Sequence, residues 1–189
     1  MSILRFTSPI NQGELRGALA GQFVRPVAVV AMGNPYRGDD AAALHVIEGL
    51  QESPELRIFN VETAPESFLV PVASCGARVC LLLDALDAGG TPGDIILLAP
   101  EDLEETDFTT HGLSPKAFLQ ALGDLSGMKL LIIGLQPGPQ RDGEQLSPQV
   151  ECAAAALRSV IVELAGSAGR GGHGRRTSGS AGSAGAHPQ

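Results

Sequence analysis

VCLLLDALDAGGTPGDIILL, residues 79–98, is the stretch that decides the fold. Two apolar runs, Val79–Asp84 and Asp94–Leu98, stand on either side of the nine residues Ala85–Gly93. The first run is apolar at successive positions, as in a strand covered on both faces. A parallel crossover takes about a dozen residues or more, so the intervening segment is too short for one. The strand over 94–98 is therefore expected to run antiparallel to the strand over 79–84.

Outward from this pair the chain alternates. Val27–Met32 (VAVVAM) and Lys129–Leu135 (KLLIIGL) read as further buried strands, and Arg57–Val61 as a short one. Ala41–Gln51 carries Leu44, Ile47 and Leu50 at helical spacing, and Glu66–Ala73 suits a short helix. Ser114-Pro115 and Ser147-Pro148 each offer an N-cap followed by proline at the first helical position. Strands separated by helix-length segments pair in parallel, with helices on both faces. The expected fold is a three-layer α/β domain, a mostly parallel sheet with one antiparallel strand.

That domain is expected over residues 26–165. Residues 1–25 read as an N-terminal extension with a short helix over Gln12–Phe23, where Leu15, Leu19 and Phe23 share a face. Residues 166–189 are almost entirely Gly, Ser, Ala, Arg and His and are expected to be disordered. No internal repeat is visible.

Composition excludes several partners. Thirteen Lys/Arg against 21 Asp/Glu give a formal charge of −8, the wrong sign for nucleic acid or an anionic membrane. Six Phe, one Tyr and no Trp leave little for a base-stacking platform. Cys75, Cys80 and Cys152 form neither a disulfide framework nor a usual zinc pair. The first 25 residues lack a signal-peptide pattern, and no apolar run approaches the ~18 residues of a membrane span. A cytoplasmic protein with reduced thiols is expected.

In open α/β sheets, ligands gather at the carboxyl ends of the parallel strands. Three polar clusters can reach that rim: Gly33–Asp40 (GNPYRGDD), Asp84, and Thr109–Gly112 (TTHG). Each has a plainer explanation. Asp39 and Asp40 suit a helix N-terminus, Asp84 a turn or cap, and His111 a structural loop position. Together, carboxylates and an imidazole without thiolate make an oxygen/nitrogen site for a borderline divalent metal such as nickel or zinc, with positions left open. The glycine-rich turn is neither G-x-G-x-x-G nor a P-loop, and no G-x-S-x-G elbow or recognisable cysteine nucleophile motif is present. His45 is given no role.

At these residues the sequence resembles the nickel–iron hydrogenase maturation endopeptidases. The similarity runs through GNPYRGDD (33–40), APES (64–67), LLLDALDAGGTPGDI (81–95), TTHGLSP (109–115), IIGLQP (132–137) and LSPQV (146–150), over about residues 27–164. The DALDAGGTPGD, TTH and GLQP stretches look most like the formate-hydrogenlyase-type branch. The resemblance implies a protease, classed as an aspartic-type endopeptidase, that trims the C-terminal extension of a hydrogenase large-subunit precursor after nickel insertion. It implies metal contact through Asp40, Asp84 and His111, with the nickel supplied by the precursor, and a monomer as the working form. Ala41-Ala42-Ala43 stands where the family commonly has glycines, which is expected to stiffen the helix start or narrow the approach to the metal. Two other readings stand beside this one: a non-catalytic metallochaperone or precursor-binding module, and a small-molecule α/β hydrolase or phosphorylase.

Overall fold

A computed structural model describes residues 3–103, 114–139, 143 and 145–166. Its sheet has six strands: β1 (Leu4–Phe6), β2 (Val27–Met32), β3 (Leu56–Glu62), β4 (Val79–Ala85), β5 (Ile95–Leu98) and β6 (Lys129–Leu135), in the order β1-β5-β6-β4-β2-β3. β3, β2, β4 and β6 are parallel neighbours. β5 is the single reversed strand, antiparallel to both β6 and β1. Its direction is the expected one, but it does not pair with β4. β6 lies between them, its residues Lys129–Leu135 in register with Val79–Ala85.

The helices are α1 (Gln12–Ala20), α2 (Ala42–Ile47), α3 (Leu69–Ala73), α4 (Pro115–Ser126) and α5 (Pro148–Gly166). Two cores form because strand side chains alternate between the two sheet faces. Val29, Leu81, Leu83 and Ile133 pack with Leu15, Leu19, Ala42, Leu157 and Ile161 under α1, α2 and α5. Val30, Cys80, Leu82 and Ile132 pack with Val72, Phe118, Leu119 and Leu122 under α3 and α4. The sheet is thus a middle layer covered on both sides.

Three details differ from the sequence reading. Residues 4–6 are a strand on the sheet edge, and α1 packs in the core through Leu15 and Leu19. The segment read as an extension is therefore built into the domain. α2 stops at Ile47, one turn short of expectation, and Gly49 at φ +79° redirects the chain, although Leu50 stays buried. Ala41, Ala42 and Ala43 are buried in the core shared with α5, so their methyl groups fill that packing interface. The loop carrying His111 and residues 167–189 lie outside the described residues.

Candidate active site

Asp40 is set by the way the chain leaves β2. Gly33 has φ +145°, and a Cβ at this position would come within 2.0 Å of the Asp40 carbonyl oxygen. Only glycine lets the following turn fold back against the strand end. A short 3₁₀ turn, Gly38–Ala41, then presents Asp40, which is 5% exposed. Its Oδ2 accepts from the Asn34 N–H at 3.3 Å. Burial raises the Asp40 pKa, with Arg37 and the Asn34 N–H pulling the other way.

Asp84 is the sixth residue of β4, opposite Gly134 of β6. By strand alternation it shares the face of Cys80 and Leu82, the side covered by α3 and α4. It is 1% exposed. Its Oδ1 accepts from the adjacent Ala85 N–H at 2.8 Å, whereas Oδ2 has no hydrogen-bond partner among the described residues. Burial pushes its carboxyl up to about 8; the Ala85 N–H opposes this, and the neighbouring Asp40 adds to it. A buried carboxyl oxygen without a partner is costly, and is relieved by a proton or by a cation.

These two carboxyl groups are thus brought close enough to feel one another. No third His, Cys, Asp or Glu joins them as a metal cluster among the described residues. The remaining predicted member, His111, lies outside those residues. Ser114, three positions on, caps α4 by accepting from the Ala117 N–H. Cys80 is buried, with its thiol pushed up to about 12, and none of the three cysteines is in a disulfide. The chemistry on offer is oxygen ligation or proton transfer, without thiolate.

Sequence reasoning missed the groups that fix the loop leaving Asp84. Gln136, buried just beyond β6, accepts from Ala88 N–H (2.9 Å) and Gly90 N–H (3.0 Å) through Oε1. Its Nε2 donates to Asp87 Oδ1, and that bond is the main cause holding the Asp87 carboxyl below its ordinary value. Asp94 accepts from Ser8 N–H and Thr91 N–H, and Arg5 of β1 donates to the Ala88 carbonyl. The turn 86–93 is therefore pinned from the last strand and from the N-terminal segment at once. The GLQP and GTPGD motifs were the available signal, but not which residue meets which.

A pocket of about 750 Å³ opens beside the Asp40 turn, lined in part by Gly38, Asp39, Pro92, Gly138, Ser147 and Gln149. That volume lies in the range of about 300–1,000 Å³ usual for ligand clefts.

The family model for HycI, the hydrogenase maturation protease, matches residues 44–164. The chain belongs to the hydrogenase maturation protease family. As a member it is a peptidase, a hydrolase with a role in hydrogenase maturation. It is 28% identical over 112 residues to the hydrogenase 3 maturation protease of Escherichia coli (strain K12), covering 58% of this chain and 71% of that protein. The crystal structure of the [NiFe] hydrogenase maturation protease HycI from Thermococcus kodakarensis KOD1 superposes with a TM-score of 0.69 at 27% identity, over 80% of this chain and 98% of that one. The solution structure of the endopeptidase HycI from Escherichia coli gives 0.62 at 24% identity, over 70% and 86%, a likeness of fold. The family match begins at residue 44, so the turn that presents Asp40 lies just ahead of it.

Proposed function

We propose that this maturation protease removes the C-terminal extension of a [NiFe]-hydrogenase large-subunit precursor, and that nickel held by the precursor is what it recognises. The observation that carries the reading is Asp84 Oδ2, buried without a partner among the described residues, near the also buried Asp40. A lone neutral acid does not need a second carboxyl at its side; a shared cation does. Oxygen donors from two carboxylates, joined by the His111 imidazole, suit nickel already held on another protein, because they complete its coordination without competing through thiolate. Nickel at that point supplies a Lewis acid and a fixed anchor for the substrate.

The chain's own part is placement. The strand end holds Asp84 rigidly, the Gly33 turn holds Asp40, and the scissile peptide lies along the adjoining rim. Asp84 gives up its proton when it meets the cation, since a metal ligand must be deprotonated. The protein works as a monomer in the cytoplasm, where its three free thiols stay reduced.

The test mixes purified protein with precursor in nickel-loaded and nickel-free forms and follows precursor length on a gel. Shortening of the loaded form alone is expected. Nickel transfer without shortening would favour the metallochaperone reading. Equal cleavage of both forms would favour an Asp40–Asp84 pair acting directly, as a proton-sharing acid pair does.

A further inference from the structure

Asp39 is one residue from Asp40, yet both its carboxylate oxygens face other segments. Oδ1 accepts from the Ser147 backbone N–H at 2.6 Å. Oδ2 accepts from the Gly138 N–H and from the Ser147 hydroxyl, each at 2.8 Å. These donors lie 99 and 108 positions along the chain. The expected roles here were a helix-start charge for Asp39 and an N-cap for Ser147. In the structure Ser147 does precede Pro148 at the start of α5, and its hydroxyl donates to Asp39. Three donors on one buried carboxylate make charge-assisted bonds, stronger than neutral ones. Gly138 is matched to the arrangement, since a Cβ there would sit 3.1 Å from Asp39 Oδ2.

The joined segments are also walls of the 750 Å³ pocket. Gly38 and Asp39 line it and Asp40 is the next residue of the same turn, so the pocket adjoins the segment that presents Asp40. Apart from Asp39, whose oxygens are already engaged, the described lining is glycine, proline and uncharged side chains. That suits extended, uncharged peptide rather than phosphate.

We propose that Asp39 is a positioning residue, clamping the Gly38–Ala41 turn to Gly138 and Ser147 and so shaping a subsite for the precursor peptide beside the scissile bond. This rests on the reading of the protein as a precursor protease. Asp39→Asn removes the charge and one acceptor; Ser147→Ala removes only the hydroxyl donor and is the milder probe. Two readouts are taken on preparations whose thermal melts show a folded protein. The first is KM and kcat on nickel-loaded precursor; the second is the calorimetric Kd for nickel-free precursor, which reads the peptide contacts of the subsite without the nickel contact.

Asp39→Asn is expected to raise KM and Kd by about tenfold and Ser147→Ala by about threefold, with kcat within about twofold of wild type. The double variant should be no worse than Asp39→Asn, because both changes break one clamp. A purely structural role would lower the melting temperature and leave KM in place. Unchanged KM and Kd in folded Asp39→Asn would overturn the proposal, as would a fall in kcat at constant KM. If wild type binds precursor but never cuts it, the protease reading fails and the Kd series still decides Asp39. If wild type neither binds nor cuts, both fall.

Discussion

Asp84 is neutral in the fold and ionised in the unfolded chain over a wide span of pH, from its ordinary 3.8 to about 8. Across that window the folded protein holds a proton that the unfolded chain has lost. Stability should therefore fall as pH rises, by up to about 1.4 kcal/mol per pH unit, and level off above the folded value. Asp84→Asn has nothing to titrate. Urea melts at pH 5 and pH 8 should show the variant gaining on wild type as pH rises; a constant gap would mean that Asp84 is not held neutral. Gly33 offers a test of the other carboxyl's support. Gly33→Ala drives a Cβ to 2.0 Å from the Asp40 carbonyl at a left-handed φ, so a loss of at least about 2 kcal/mol is expected by chemical denaturation. At this scale Asp84 was legible because a carboxylate ending an apolar run stands out locally. Asp39 was not, since its donors come from the far end of the chain and nothing near it in sequence announces them.

Among elements, the buried strands were readable from uninterrupted apolar runs: β2 and β6 have the bounds their sequences suggest. Their order was less so. β4 and β5 are consecutive in sequence but separated in space by β6, and hydrogen-bond pairing across that distance leaves no mark on the connecting loop. β1 escaped notice because three residues on a sheet edge, one of them arginine, are too short to show a period. The same segment makes a clear prediction. Leu15 of α1 is fully buried against the α5 side of the sheet, as core residues are rather than residues of a loose extension. Leu15→Ala should cost about 2–5 kcal/mol in urea unfolding, by lost transfer energy and the cavity left behind. A cost below about 0.5 kcal/mol would show that α1 is an accessory rather than part of the core.

For the whole molecule, the sheet does two jobs with one topology. Its buried centre supplies stability, and the carboxyl rim of β2 and β4 supplies two acids that stability alone would not favour burying. Polar braces from Gln136, Asp94 and Asp39 hold the described rim segments in place. Among the described residues no helix is long and apolar enough to cross a membrane. Under the proposed function, this rim, with Asp84 Oδ2 unpartnered among the described residues, meets a partner that brings its own metal.

The measurement that tests this most directly is cleavage by Asp84→Asn. The variant keeps size and most hydrogen bonding but loses the charge that a cation requires, and near neutral pH it replaces a carboxyl that is already protonated. It should stay folded at pH 7, melting at or above the wild-type temperature, while wild type shortens nickel-loaded precursor on a gel and the variant leaves it full length. Cleavage by a folded Asp84→Asn at the wild-type rate would contradict the account.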